Sequence, residues 1–249
     1  MGDRLAGKVA LISGASQGIG AEIARRFGAA GARVVVAYFT SHDQGHDVAA
    51  EIRRAGGKAI AVRADLRDPQ QIDYLMDEVA GVFEQLDILV NNAAVSEVGE
   101  LADITPEHVE RLLSLNVRAL LQLTRAAVPR FGAKGGRIIN ISSRNGIHPV
   151  PGAAVYCATK AAVNAITVSL AQELGSRRIT VNAIAPGPTD TPSFRQRLSE
   201  DDERDLLDRT PLGRLGLPSD VANIALFLAS EDGFWISGEV ISATGGLQG

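Results

Sequence analysis

Two side chains that could move a proton lie one helical turn apart in the segment PGAAVYCATKAAVNAITVSLAQEL. They are Tyr156 and Lys160. Residues i and i+4 share one face of a helix, so both would project toward the same surroundings. A nearby cation lowers the pKa of a tyrosine from its usual value of about 10, which makes the phenol a usable acid or base. From this segment alone, two amphipathic side chains at a surface are the simpler interpretation.

Four other stretches predict that further reactive groups converge on this pair. SGASQGIG, DILVNNAA, IINISS and VNAIAPGPT each follow or finish an apolar, β-branched run. In a parallel sheet the ligand crevice lies beyond the carboxyl ends of the strands. Ser143, which ends the third stretch, could hold a substrate oxygen beside Tyr156, and a nicotinamide bound there would exchange the hydride.

The stretch SGASQGIG indicates a nucleotide phosphate site. Its glycines, Gly14, Gly18 and Gly20, permit a tight turn and a close approach of a pyrophosphate to the free N–H groups of a helix N-terminus. In many NAD sites an acid about 20 residues further on binds the ribose hydroxyls. Tyr38 occupies that place, so the acid is missing.

The elements that must position these groups alternate between strand and helix. Strands are predicted at 8–13, 33–38, 58–64, 86–92, 136–142, 179–185 and 239–243, and helices at 18–31, 43–55, 69–84, 106–131 and around residues 156–160. Strands that are apolar on both faces and joined by helices predict a parallel sheet covered on each side. The predicted fold class is therefore α/β, a doubly wound parallel sheet (Rossmann fold) of three layers in a single domain, residues 1–249.

Composition excludes several classes of protein. The 249 residues are 45% hydrophobic, and 25 Lys and Arg against 29 Asp and Glu leave a net charge of -4 without a basic cluster, so a nucleic-acid partner is not expected. The single cysteine, Cys157, fits a reducing compartment. No signal peptide is evident and no apolar run approaches the length of a membrane span, so we expect a cytoplasmic protein with no membrane partner.

One connection is longer than the rest of the pattern predicts. Residues 186–218 separate a strand from a helix and contain the charge run EDDERD. Such joints usually have about 2 to 6 residues. The charge run predicts a solvated helix face, and the position suits a substrate lid at about 187–217.

With these motifs in order, the whole chain resembles the single-domain branch of the short-chain dehydrogenase/reductase family. The motifs run from VALISGASQGIG to ATGG, and GGRIINISS and RRITVNAIAPG are similar to those of 3-oxoacyl-carrier-protein reductases. Departures from the family pattern are small: Ala94 replaces a glycine in NNAA, Ser13 stands where threonine is common, and SATGG replaces VDGG. The resemblance implies an oxidoreductase that interconverts a ketone and a secondary alcohol.

The resemblance also implies roles for individual residues. Tyr156 would be the general acid/base, Ser143 would polarise the carbonyl, Lys160 would bind the nicotinamide ribose and lower the tyrosine pKa, and Asn116 would hold a water in the proton relay. The cofactor-binding set it implies, together with neighbouring residues, is Gly14, Ser16, Gln17, Gly18, Ile19, Gly20, Tyr38, Thr40, Ser41, Asp65, Leu66, Asn92, Ala93, Tyr156, Lys160, Pro186, Gly187, Thr189 and Thr191. The expected substrate-binding set is Ser143, Asn145, His148, Tyr156 and Phe194, with Val150 and Trp235 as further candidates.

Alternatives and partners follow from the same residues. The four histidines are dispersed, so no metal site is expected. A catalytically idle nucleotide-binding subunit and an epimerase or dehydratase remain as alternative functions.

The missing acid at Tyr38 predicts NADP(H) in preference to NAD(H). Apolar residues around much of two helices, among them Leu113, Leu121 and Val168, predict burial by partner subunits, most often in a homotetramer.

Overall fold

The structure, a computed structural model, describes residues 3–247 and is built on one parallel sheet. The strands are β1 Val9–Ser13, β2 Arg33–Tyr38, β3 Lys58–Arg63, β4 Ile88–Asn91, β5 Gly136–Ile141, β6 Ile179–Pro186 and β7 Val240–Ala243. They lie in the order β3-β2-β1-β4-β5-β6-β7. All six pairings are parallel, so the predicted doubly wound α/β fold is confirmed. The order reverses between β1 and β4, which is where such folds bind ligands.

Nine α-helices are found within residues 3–247. They are α1 Gly18–Ala29, α2 His42–Arg54, α3 Pro69–Val82, α4 Pro106–Leu113, α5 Leu120–Ala127, α6 Ala154–Leu174, α7 Pro192–Arg195, α8 Glu200–Arg209 and α9 Pro218–Ala229. The helix predicted over 106–131 is not continuous. A π-helical segment, Ser114–Ala119, separates α4 from α5, and a 3₁₀ turn with Pro129 ends the run.

The helices cover both faces of the sheet and give the predicted three layers. Ala10 and Ile12 of β1 point into the layer formed by α1, α2 and α9, whereas Val9 and Leu11 point into the layer formed by α3, α5 and α6. This alternation is the two-residue period of a strand. Because both faces of the five central strands are buried, those strands read as continuous apolar runs in the sequence.

Buried amides and hydroxyls tie the second layer to the sheet. Asn91 Nδ2 donates to Asn140 Oδ1 at 2.9 Å and to Thr124 Oγ1 at 3.0 Å. Asn140 Nδ2 donates in turn to Thr167 Oγ1 at 2.9 Å. The chain of bonds joins β4, β5, α5 and α6. Since an unpaired buried polar group is unfavourable, this network favours one seating of α6 on the sheet.

Helix α6 is the longest apolar helix among residues 3–247. Ala154–Arg177 is long enough and, with a mean hydropathy of 1.3, apolar enough to meet a length-and-composition test for a membrane span. The prediction that no apolar run approaches a span is therefore wrong for this helix. Its Val163, Thr167 and Ala171 are buried, and it packs against β6. Only 28% of the apolar window is buried, so much of the helix surface faces outward.

The segment between β6 and α9 contains two short helices, α7 and α8. Helix α8 carries the charge run and has no buried residue, which confirms the predicted solvated face. A bridge between Thr189 and Gly216 closes the base of the segment. Its action as a lid remains a prediction.

Candidate active site

A crevice of about 710 Å³ lies at the carboxyl edge of the sheet. It brings together most of the residues that the sequence predicted for the site. Those that line it are Gly14, Ser16, Gln17, Gly18, Ile19, Tyr38, Thr40, Asp65, Leu66, Asn92, Ala93, Ser143, Asn145, Tyr156, Lys160, Pro186, Gly187, Thr189, Thr191 and Phe194. Val150 lines it as well.

Four predicted site residues do not line the crevice, and neither does Trp235, which is 94% exposed. Gly20 lies behind the first turn, where a Cβ would meet Asn92 Nδ2 and the Gly14 carbonyl oxygen at 2.5 Å. Ser41 precedes α2 as its N-cap. Asn116 and His148 also lie outside the lining.

The turn from β1 into α1 is shaped to receive an anion. Gly14 and Gly18 have φ of 62° and 56°, a region that L side chains rarely adopt. No side chain caps the N-terminus of α1, and its first turn carries no acid. The N–H groups and the positive end of the helix dipole are therefore available to a phosphate group, and these residues fit a dinucleotide.

Tyr38 ends β2 and lines the crevice. Its ring packs so closely on α2 that a Cβ at Gly45 would lie 2.4 Å from Tyr38 Cδ1. Its hydroxyl lies 2.7 Å from His42 Nδ1. Burial raises the pKa of Tyr38, so the phenol stays protonated and neutral. The position that often carries an acid is thus filled by a neutral group whose hydroxyl already has a partner.

Arginines that the sequence did not single out surround the next residue, Phe39. The Cζ atoms of Arg63 and Arg67 lie 5.1 and 5.5 Å from its ring centroid. Arg67 lines the crevice and forms a bidentate ion pair with Asp65. Its Nε donates to Oδ1 at 2.8 Å, and its Nη2 donates to Oδ2 at 2.6 Å. The hydrogen bond from Arg67 holds the pKa of Asp65 below its usual value.

The phenol of Tyr156 lies among groups that act on its proton. Burial raises its pKa, while hydrogen bonds with the hydroxyls of Ser143 and Ser96 and the charge of Arg197 oppose that rise. Ser143 Oγ also accepts the amide proton of Asn145 at 3.1 Å. Two hydroxyls and a phenol at the end of a crevice can bind a carbonyl oxygen and exchange a proton with it.

Lys160 lies on the same face of α6, as its spacing predicts. Its Nζ donates to the Ile141 carbonyl at 2.9 Å and lies 5.8 Å from the centroid of the Tyr156 ring. Burial lowers the pKa of Lys160 from 10.5 to about 8. Ser143, Arg197 and Ser96 are the groups that lower the pKa of Tyr156 here, so a contribution from Lys160 stays a prediction.

Asn116 sits in the π-helical segment and joins three parts of the site. Its Oδ1 accepts the Val95 amide proton at 2.9 Å, and its Nδ2 donates to the Val95 carbonyl at 2.9 Å and to Thr159 Oγ1 at 3.1 Å. The side-chain amide is therefore occupied, and it positions the loop after β4 against α6. The water-holding role predicted for Asn116 would fall to its main chain, since π-helical turns rearrange the backbone hydrogen bonds.

Sequence reasoning missed several residues that the fold brings to the crevice. They are Phe39, Arg67, Ser96, Arg144, Arg197, Leu206 and Arg209. Arg144 follows Ser143 directly, a signal that was available. The others come from loops and from the segment 187–217, where no periodicity indicates which side chains turn inward. Within residues 3–247 no group of three His, Cys, Asp or Glu side chains could hold a metal ion.

Known proteins are similar to this chain over nearly its full length. A family model described as enoyl-(acyl carrier protein) reductase matches residues 14–248. An uncharacterized oxidoreductase of Methylorubrum extorquens is 44% identical over 98% of this chain and 99% of its own. Versicolorin reductase of Emericella nidulans is 40% identical over 98% of this chain and 96% of its own.

Solved structures agree with the sequence matches. An angucycline C-6 ketoreductase with bound NADP superposes with a TM-score of 0.93 at 38% identity, covering 99% of this chain and 98% of the other. A 7α-hydroxysteroid dehydrogenase in complex with NADH and 7-oxo glycochenodeoxycholic acid gives a TM-score of 0.94 at 36% identity, covering 98% and 95%.

The buried charge of Lys160 predicts a stability that depends on pH. The folded protein binds that proton less tightly than the unfolded chain, so wild-type stability should rise as pH increases from about 8 to 10.5. Lys160→Met keeps the length without the charge. At pH 7 the free energy of unfolding of this variant should be at least that of the wild type. The expected excess is on the order of 1–3 kcal/mol. The difference should shrink toward pH 10.

Urea unfolding of the cofactor-free protein at both pH values measures this difference. Turnover of Lys160→Met should be lost. A variant less stable than the wild type at pH 7, with a gap that does not change with pH, would contradict the prediction.

Proposed function

Because the chain belongs to the short-chain dehydrogenase/reductase family, we propose that it is an NADPH-preferring ketoreductase with Tyr156 as the general acid/base. The observation that carries this proposal is the meeting of the Tyr156 phenol with the Ser143 hydroxyl beside buried Lys160, at the end of a crevice that begins in a glycine-rich phosphate turn. A single cysteine that is also buried supports a cytoplasmic location.

The residues of the chain divide the work between them. Ser143 binds the carbonyl oxygen and polarises it, and Tyr156 donates a proton to the same oxygen during reduction. Lys160 holds the nicotinamide ribose and keeps a positive charge near the phenol. Asn116 positions the loop at Val95 and the helix at Thr159. A bound nicotinamide nucleotide supplies the hydride.

Other elements bind the nucleotide and cover the substrate. The turn at Gly14 and Gly18 binds the pyrophosphate through backbone N–H groups. Asp65 lies at the adenine, and Pro186 to Thr191 flank the nicotinamide. Residues 187–217 form a lid, since Phe194 and Leu206 from this segment line the crevice.

The preference for NADPH rests on the missing acid at Tyr38. A carboxylate there would repel a 2′-phosphate, whereas the Tyr38 phenol is neutral and bonded to His42. Arg67 adds positive charge nearby, although Asp65 offsets part of it. The preference should therefore be real but modest.

A subunit contact is supported by an apolar surface on α4, α5 and α6. Leu113 and Leu121 are each 40% exposed, and Val168 is 41% exposed. Helix α4 and the π-helical segment pack beside α6. We propose that partner subunits cover this face in a homotetramer.

Removing the phenolic hydroxyl tests the catalytic assignment. Tyr156→Phe keeps the ring and the phosphate turn, so turnover of a ketone should fall by at least ~100-fold while NADPH binding is retained. A panel of neutral ketones, oxo acids and secondary alcohols, followed at the nicotinamide absorbance band with both nucleotides, gives the rates. Equal turnover in Tyr156→Phe would refute the role of Tyr156. A wild type without turnover on the panel would favour the idle nucleotide-binding subunit.

Cofactor choice can be reversed at one position. The wild type should prefer NADPH over NADH by on the order of 10- to 100-fold in kcat/KM, as expected for hydrogen bonds to a charged group. Tyr38→Asp should restore the repulsion and favour NADH. Tyr38→Asn has the same shape without the charge and controls for the lost ring, so it should keep the NADPH preference. A wild-type preference for NADH would show that a missing acid does not determine cofactor choice.

Charge introduced on the apolar face tests the assembly. Light scattering at micromolar concentration should give a tetramer mass for the wild type. Leu121→Glu combined with Val168→Glu should give smaller species, because charges would be buried at the contact. Val82, which is 51% exposed at the end of α3, provides the control Val82→Glu, which should remain tetrameric. A monomeric wild type would contradict the proposal.

A further inference from the structure

The catalytic end of the crevice carries far more positive than negative charge. Arg144, Arg197 and Arg209 line it together with Lys160, and Asp65, at the opposite end, is the one acid among the lining residues that the structure describes. Asp65 is already paired with Arg67. The chain as a whole has a net charge of -4, so this concentration of cations opposes its overall balance.

Arg197 differs from the other arginines of the segment 187–217. The other four form ion pairs: Arg195 with Asp190 and Glu203, Arg204 with Asp201, Arg209 with Asp205, and Arg214 with Asp220. No carboxylate among residues 3–247 forms an ion pair with Arg197. Its partners are backbone carbonyls, those of Ser193 at 3.1 Å from Nε and of Ser96 at Nη1. Three of its five N–H donors have no partner among these bonds.

Arg197 also lies close to the reacting groups. It holds the carbonyl of Ser96, whose hydroxyl is hydrogen-bonded to the Tyr156 phenol, and its charge acts on the pKa of that phenol. Burial lowers the pKa of Arg144, and the charge of Arg209 lowers it further. Arg197, which has no carboxylate partner among residues 3–247, therefore adds positive charge near Tyr156.

We propose that Arg197, with Arg144 and Arg209 nearby, binds a carboxylate of the substrate, and that the substrates are oxo acids rather than neutral ketones. The planar guanidinium binds a carboxylate through two parallel N–H···O bonds. With the carboxylate held there, the carbonyl of the same oxo acid would be the group presented to Ser143 and Tyr156, which line the same crevice. The inference rests on the proposed ketoreductase function and names its substrate class.

Matched acids and esters separate this inference from the proposed function. The probes are 2-, 3- and 4-oxopentanoate and their methyl esters, so that the carboxylate stands at three distances from the carbonyl. The wild type should have a kcat/KM for at least one acid that exceeds that of its ester by ~10-fold or more, the range of hydrogen bonds to charged groups. Added salt should reduce this ratio.

Variants of two arginines in the same segment identify the group responsible. Arg197→Gln should lower the acid-to-ester ratio by ~10-fold or more, and Arg197→Lys, which keeps the charge, should restore part of it. Arg204→Gln is the matched control, because Arg204 is exposed and does not line the crevice. It should leave the ratio unchanged. The ratio removes any effect of Arg197 on the Tyr156 proton, which both substrates share.

Binding gives a second measurement that does not depend on turnover. Malonate, but not dimethyl malonate, should raise the melting temperature of the NADP complex, and Arg197→Gln should abolish the shift.

The possible outcomes differ for the two hypotheses. If esters and neutral ketones have the same kcat/KM as the acids, and malonate does not shift the melting temperature, this inference is overturned. The ketoreductase function would still stand. An increase in the KM for NADPH in Arg197→Gln, with an unchanged acid-to-ester ratio, would assign Arg197 to the cofactor and also overturn it. No turnover of any acid, ester or neutral ketone would count against the ketoreductase function, while a malonate shift would still support the anion site.

Discussion

The site depends on the close contact between the first βα turn and the end of β4. A Cβ at Gly14 would lie 2.8 Å from Ala93 Cα, so a side chain there would force the two segments apart. Ser13 Oγ accepts the amide protons of Asn92 at 3.0 Å and Ala93 at 3.1 Å, and Asn92 Nδ2 donates to the carbonyls of Ser13 and Gly14. These bonds join the two halves of the sheet at the point where strand order reverses. The phosphate turn and the start of the loop leading to Ser96 are therefore bonded directly to each other.

A second set of buried bonds sets the position of α6 relative to that unit. The amides of Asn91 and Asn140 and the hydroxyl of Thr167 connect the sheet to the middle of the helix. Asn116 connects Thr159, one residue before Lys160, to the loop after β4. Where Gly146 passes α6, a Cβ would lie 2.6 Å from the Lys160 carbonyl carbon. Helix α6 is thus held from several sides at the turn that carries Tyr156 and Lys160.

Much of the fold could be predicted because its signals are local. Parallel strands buried on both faces produce continuous apolar runs, and all seven were located within two residues of their observed ends. The π-helical segment at Asn116 was not predictable, because it depends on bonds to Val95 and Thr159, which are distant in sequence. The orientation of the Tyr38 hydroxyl toward His42 likewise depends on the space that Gly45 leaves in α2.

By itself the sequence determined which functional motifs occur along the chain and on which elements they lie. They are a phosphate turn, strand ends that carry Ser143 and the Asn91–Asn92 pair, and Tyr156 and Lys160 on one helical face. Those features follow from spacing and from the periods of strands and helices. Only the tertiary structure decided which charges share the crevice. Arg144, Arg197 and Arg209 come from separate loops and helices, and their presence in one crevice depends on how the segment 187–217 folds back over the sheet. Long-range packing brings these groups together, and no local pattern in the sequence encodes it.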